Sequence, residues 1–303
     1  MGSGRYAPSP TGDLHLGNLR TALIAWAAAR SSGRRFHLRL EDLDRDRARD
    51  PRPQIEDLTA LGLDWDGPII IQSERLGRYQ AAINDLAAQG LVMECFCSRR
   101  DIREAASAAH TPPGHYPGTC FHLGENERHE RRAELAARGM RPALRLRPTQ
   151  REWRIKDMFR GAYTGPVDAV VLQRGDGTFA YNLAVVVDDL AMGVDQIVRG
   201  DDLLAFAPVH SYIAHELGGS EPVYGHVPLV LGPGGKRLAK RDGAVTLREL
   251  REAGASIEDV IGTISTSFGM KNVTTAEQFL KTFPHTPLPR EPWTYFPLLN
   301  KGG

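Results

Sequence analysis

Two stretches of this chain combine residue types that could hold and neutralise an anion. In "APSPTGDLHLGNLR" the prolines and Gly12 make a rigid turn, and His15, Gly17 and Asn18 fall where a strand should end and a helix begin. The first N–H groups of a helix have no intrahelical partner, so such a junction is an anion site, and Gly17 would let a phosphate come close to the backbone. The second stretch, "GPGGKRLAKRDG", packs four glycines and four basic residues into twelve positions directly after the apolar run "PLVL". A cationic loop of that kind suits a triphosphate whose charge shifts as it reacts. Either stretch alone could be an ordinary solvated loop. Together, each just after a strand and in different halves of the chain, they describe the edge where open α/β sheets bind ligands.

The elements that must carry these groups can be read from periodicity. Residues 5–7 read as a short strand, and Leu19, Ala22, Leu23, Trp26 and Ala27 repeat at helical spacing. "RFHLRLED" alternates as a strand; "DPRPQIEDLTALG" opens a helix at Asp-Pro and stops it at Gly62; "GRYQAAINDLAAQG" is a further helix ending in glycine. Strand and helix in alternation predict a doubly wound parallel sheet. The alternation fails near residue 91 and resumes with "DQIVRGDDLL", a helix over about 205–217 and the strand "VPLVL". The expected organisation is a Rossmann-like first half (1–90), an insertion (91–190), a second half with the basic loop (191–245), and a C-terminal part (246–303) of two short helical stretches and an extended proline-rich tail.

Composition narrows the class. The chain has 303 residues, a formal charge of +1 and three cysteines, which excludes a histone-like basic blanket and a secreted disulfide framework. "TALIAWAAAR" is too short to span a bilayer, and no targeting segment is visible, so a cytoplasmic protein with no membrane partner is expected. No coiled-coil repeat occurs, and a monomer is expected. Between positions 138 and 161 eight Arg or Lys face two acids, with Trp153 and Phe159 interleaved, a pattern that fits contact with RNA phosphates and equally a half-exposed strand.

Several long motifs carry a family resemblance. "RYAPSPTGDLHLGN" resembles the HIGH motif of the class I aminoacyl-tRNA synthetases in its glutamate-enzyme form, and "RLAKR" at 237–241 resembles their KMSKS loop. "LRLEDLD", "LGLDWDGP", "QSERLGRY", "FAYNLAVVVDD" and "IVRGDDLL" are similar to glutamyl-tRNA synthetases as well, so the likeness runs from about residue 5 to 245. The loop departs from the family form at Arg237 and Ala239 and retains Lys240. The resemblance implies a class I Rossmann-like sheet split by a zinc-bearing insertion. It implies that His15, Gly17, Asn18 and Lys240 act on ATP, Lys240 stabilising the departing pyrophosphate with Mg²⁺ assisting. It implies a glutamate pocket of Arg5, Tyr6, Ala7, Pro8, Ser9, Glu41, Tyr181 and Arg199, with Arg5 and Arg199 on the side-chain carboxylate and Glu41 on the ammonium.

The cysteines point to one branch. Cys95 and Cys97 in "CFC", with Tyr116 and Cys120 in "HYPGTC", resemble the zinc site of the glutamyl-queuosine branch, which attaches glutamate to queuosine in the anticodon of tRNA(Asp). Three thiolates and one oxygen or nitrogen would complete a zinc tetrahedron, with His115 and His122 as rivals of Tyr116 for the fourth place. About sixty residues follow the KMSKS-like loop, which is similar to the shortened form of that branch. The resemblance implies tRNA-independent activation of glutamate with ATP and transfer to queuosine. A short glutamyl-tRNA synthetase charging tRNA(Glu), and a non-catalytic zinc- and RNA-binding relative, remain as alternatives.

Overall fold

The structure of the protein, a computed structural model, describes residues 2–98, 100–102, 115–235, 245–285 and 288–296. A central strand, β1 (Ser3–Tyr6), has neighbours on both sides. On one side lie β2 (Arg35–Leu40) and β3 (Ile70–Ile71); on the other lie β9 (Val194–Gly200), β10 (Val223–Val227), β6 (Glu152–Asp157) and β7 (Gly161–Pro166). All pairings in this sheet are parallel except β6–β7. The first half of the chain therefore builds outward from β1 one way, and the second half builds from β9 the other. The β1/β9 boundary is the switch point of the sheet, and a crevice opens beyond the carboxyl ends of these two strands.

Helix α1 (Leu16–Ser31) follows β1 and is buried nearly all round, from Leu19 and Leu23 at 0% exposure to Trp26 at 6%. That all-round burial follows from its position between β1 and β9 on one side and the C-terminal α9 (Ala276–Thr282) on the other. Helices α2 (Arg52–Ala60) and α3 (Leu76–Ala88) match the sequence reading, and Gly62 ends the α2 turn at φ +80°. Helix α5 (Tyr181–Ala191) leads into β9, and α6 (Ala207–Glu216) connects β9 to β10.

Between the halves, β4 (Val92–Cys95), β5 (Ala143–Leu146) and β8 (Val171–Gln173) form a small antiparallel sheet, with α4 (Glu125–Ala136) in the connection. The same stretch of chain supplies β6 and β7 to the main sheet. The basic strip from 138 to 161 does not form one face. Arg145 is buried, donates to the Ala169 carbonyl at 2.7 Å and lies over the Tyr116 ring; Arg160 pairs with Asp201; Trp153 packs edge-on against Tyr212. The remaining members, among them Arg151, Arg154 and Lys156, are exposed.

After the basic loop three helices appear where two were expected: α7 (Leu247–Glu252), α8 (Ile257–Thr266) and α9. The Thr275 side chain accepts from the Gln278 N–H, and this cap starts α9 within a stretch otherwise poor in periodicity. Of the proline-rich tail expected to be extended, residues 283–285 form a 3-10 turn, and β12 (Trp293–Thr294) adds in parallel to β11 (Val230–Leu231); residues 286–287 and 297–303 lie outside the described residues. Among the described residues no helix is long and apolar enough to cross a membrane.

Candidate active site

The crevice at the β1/β9 switch is a cleft of about 740 Å³. Arg5, Tyr6, Ala7, Pro8, Ser9, His15, Gly17, Asn18, Glu41, Tyr181 and Arg199 all line it. Every expected glutamate and ATP residue within the described part of the chain thus meets in one place.

The His15 turn differs from its expected chemistry. The helix begins at Leu16, three residues before the periodic pattern, because His15 itself is the cap. Its Nδ1 accepts from Gly17 N–H at 3.1 Å and Asn18 N–H at 3.3 Å, Leu16 N–H donates to the Val245 carbonyl, and Leu19 N–H donates to the His15 carbonyl. The helix end is therefore not a ring of free donors: the imidazole takes two of them, and the Val245 and His15 carbonyls take the others. With Nδ1 an acceptor, the proton of the neutral ring is assigned to Nε2. A Cβ at Gly17 would lie 3.1 Å from His15 Cε1 and 3.2 Å from Nδ1, so the ring would have to give by a few tenths of an ångström. The loop before it is shaped by Gly12 at φ +135° and tied down by Gln54, whose amide donates to the Ser9 carbonyl at 3.2 Å.

The floor of the cleft is ionic and buried. Arg5 on β1 donates to the Asp189 carboxylate and to the Val198 carbonyl. Arg39 on β2, fully buried, donates to Asp189 at 2.6 Å and to Glu41 at 3.1 Å. Burial would raise the Asp189 pKa, but Arg39 and Arg5 outweigh it and keep the group below the usual carboxylate range. Burial pushes Glu41 up, and Arg39 offsets this only in part, because Arg39 is shared with Asp188 and Asp189. Glu41 is thus a carboxylate short of positive charge, a fitting place for an ammonium.

Arg199 on β9 is held differently. Its Nε donates to His226 Nε2 at 3.1 Å, one terminal nitrogen bonds His210 Nδ1 at 3.0 Å, and the other donates to the Leu203 carbonyl at 3.1 Å. None of these partners is anionic. Tyr181, on the wall beside it, meets His210 edge-on with centroids 5.7 Å apart. Tyr6 turns its hydroxyl back toward the Asn18 carbonyl at 3.3 Å.

Lys240, with Arg237 and Ala239, lies outside the described residues. The described residues on either side of that stretch border the cleft. Val230 lines it, and Val245 and Thr246 are docked on the His15 turn through the Leu16 hydrogen bond and a bridge to His15.

Away from the cleft, Cys95, Cys97 and Cys120 gather with their sulfurs all within 4.8 Å of one another, Cys97 and Cys120 at 3.5 Å. Zinc–sulfur bonds of about 2.3 Å in a tetrahedron put sulfurs about 3.8 Å apart, so the cluster fits zinc. The Tyr116 hydroxyl lies 3.6 Å from the Cys95 sulfur and 3.9 Å from that of Cys97, where a fourth ligand belongs. His115 instead faces Asp168 at 3.6 Å, and His122 is exposed.

The description "tRNA synthetases class I (E and Q), catalytic domain" matches residues 3–287. The chain belongs to that family. Among its relatives, the glutamyl-Q tRNA(Asp) synthetase of Nocardia farcinica is 57% identical over 96% of this chain and 92% of its own. That of Symbiobacterium thermophilum is 44% identical over 95% and 94%. Glutamate–tRNA ligase 1 of Nitrosococcus oceani is 39% identical over 92% of this chain and 60% of its own. The crystal structure of the glutamate–tRNA synthetase from Elizabethkingia anophelis superposes with a TM-score of 0.82 at 25% identity, covering 98% of this chain and 68% of that one.

Within this class I synthetase frame, the sequence reading missed the groups that hold the pocket. Asp188 and Asp189 stand in the quoted stretch "FAYNLAVVVDD", and Arg39 in "LRLEDLD", but their charges read as solvated until burial is known. His210, His226 and Asp157 had no motif at all. Their signal is the parallel register that sets His226 beside Arg199, and it exists only in the folded sheet.

Proposed function

We propose that this class I synthetase activates glutamate with ATP and transfers the glutamyl group to queuosine in the anticodon of tRNA(Asp). The observation that carries the reading is the meeting of Arg199, Arg5 and Glu41 with the His15 turn in one cleft at the switch of the sheet. The relatives named for that reaction support the choice of acceptor.

In the first step an α-carboxylate oxygen of glutamate attacks the α-phosphorus of ATP, and the bond to the pyrophosphate breaks. Such a displacement needs positioning and charge neutralisation more than proton transfer. Arg199 and Arg5 orient the side-chain carboxylate, Glu41 takes the ammonium, His15 Nε2–H meets a phosphate, and Lys240 neutralises the pyrophosphate of Mg²⁺–ATP. The reading includes activation of glutamate without tRNA. In the second step a hydroxyl of the queuosine ring attacks the acyl carbon and AMP leaves, the hydroxyl proton passing to the released phosphate. Cys95, Cys97, Cys120 and Tyr116 would hold a zinc ion that cross-links β4 to the 116–120 turn, a structural task. The reading includes a cytoplasmic setting, which keeps those thiols reduced.

Incubation with labelled glutamate, ATP and separate tRNA pools tests the reading. Label should appear on tRNA(Asp) and disappear when the queuosine diol is first cleaved by periodate. Label on tRNA(Glu) would replace the acceptor, and glutamate-dependent ATP–pyrophosphate exchange without label on any tRNA would remove the second step.

A further inference from the structure

Arg5 and Arg199 both reach the cleft, yet the protein compensates only one of them directly. Arg5 is ion-paired to Asp189, which Arg39 shares. Arg199, 6% exposed, spends its three hydrogen bonds on two histidine nitrogens and a carbonyl. A guanidinium always donates, so both histidine atoms facing it must be lone pairs. His226 then carries its proton on Nδ1, where Asp157 Oδ2 accepts at 2.6 Å, and His210 carries its proton on Nε2, where Asn182 Oδ1 accepts at 2.9 Å. Asp157 is itself fixed by the backbone N–H groups of Phe159, Arg160 and His226. Asp157 thus acts on Arg199 through the His226 ring, and it selects a tautomer there. Tyr224 completes the enclosure, its ring centroid 5.3 Å from the guanidinium carbon. Of the five N–H groups of Arg199, three are used, and one remains on each terminal nitrogen, a fork for a carboxylate.

We propose that His226 and His210 are positioning residues that hold Arg199 as a directed but uncompensated cation, so that the carboxylate completing its pairing is the substrate's. This rests on the reading that Arg199 meets the glutamate side chain. A buried guanidinium gripped by carboxylates would be just as ordered but electrically satisfied, and would accept a neutral amide side chain almost as well as an acid. Two neutral acceptors give order without that loss of selectivity, and Asp157 and Asn182 keep them in the accepting tautomer.

The test compares glutamate with glutamine in ATP–pyrophosphate exchange on the full chain. His210→Glu supplies an acceptor with a charge, and the Asn182 amide can turn to donate to it. It should raise the KM for glutamate on the order of a hundredfold, change the KM for glutamine by less than about tenfold, and leave kcat for glutamate near wild type. His210→Gln, a neutral acceptor, should recover glutamate KM to within about tenfold of wild type. Equal losses for glutamate and glutamine, no change in either, or a His210→Gln as impaired as His210→Glu would each overturn the proposal. If His210→Glu does not give a cooperative melt, His210→Asp sets the same charge on a shorter arm and is judged by the same ratio. Calorimetric titration of the wild-type protein with glutamate separates this proposal from the reading it rests on. Binding without exchange removes the activation step and leaves the selectivity ratio to be read from binding of the variants, whereas no binding overturns both.

Discussion

His15 and Gly17 form a matched pair: the imidazole folds back over the helix start, and a Cβ at position 17 would press against it. The ring Nδ1 sits 3.1 Å from Gly17 N, and a methyl at position 17 would press on Cε1 at 3.1 Å. Glycine here leaves the histidine ring its position. Gly17→Ala should therefore lower exchange by about a hundredfold through a displaced ring, while the melting temperature moves little. Unchanged exchange would show that the ring's position is immaterial.

His15→Asn separates the two tasks of the ring. Asparagine is among the best N-cap residues, whereas loss of a cap altogether costs about 1 kcal/mol. The variant should keep its thermal stability and lose the phosphate donor, with exchange falling by ten- to a hundredfold or so. Loss of stability in proportion to activity would mean that His15 is a cap only.

Lys240→Ala is expected to reduce glutamate-dependent exchange by about a hundredfold, the usual effect of removing one charge-stabilising group. Glutamate binding by calorimetry should persist. Full exchange in the variant would take Lys240 out of the reaction.

Arg39, itself 0% exposed, joins Asp188, Asp189 and Glu41 below the cleft. Arg39→Met leaves those carboxylates short of a partner and should cost about 3–5 kcal/mol, read from the urea midpoint. A midpoint within error of wild type would show that the acids find water or protons instead.

The buried histidines set an acid limit on the fold. Burial first, then the positive charge of Arg199, lowers the pKa of His210 well below its usual value; burial lowers that of His226 against the opposing pull of Asp157. Aromatic neighbours Tyr181, Phe206 and Tyr224 add no charge at neutral pH. A histidine with a depressed folded pKa gives stability that is present above the unfolded value of about 6.5 and is lost as pH falls toward the folded one. Urea midpoints should decline from pH 7 to 5, with a slope of up to about 1.4 kcal/mol per pH unit per histidine, and His210→Gln should flatten the decline. A midpoint independent of pH in that window would contradict the neutral assignment.

Metal removal closes the set. Cys95→Ala should lose zinc by elemental analysis and loosen β4 and the 116–120 turn in hydrogen exchange. Stoichiometric zinc in the variant would exclude Cys95 as a ligand.

What the sequence determined by itself is local or periodic. The turn before α1, the alternation in β2, the glycine after α2 and the short cysteine spacing all act over a few residues, where sterics and period leave little choice. Even there the junction at His15–Asn18 was legible but the cap was not: the helix starts at Leu16, ahead of the periodic run from Leu19, because an imidazole is not among the usual N-cap side chains. Helix α9 had a readable signal, Thr275 with Gln278 three residues on, that periodicity alone passes over. What only the tertiary structure decided is which charges are partners. Arg5 and Asp189 are 184 positions apart, and His226 and Asp157 are 69 apart. The His226–Asp157 pairing comes from the parallel ladder that sets β10 beside β6, the Arg5–Asp189 pairing from the packing of helix α5 near β1, and both from the burial that removes water as a competing partner. Periodicity tells which face a residue occupies, but strand order tells which residue it meets, and the charge left unpaired on Arg199 exists only once that order is made.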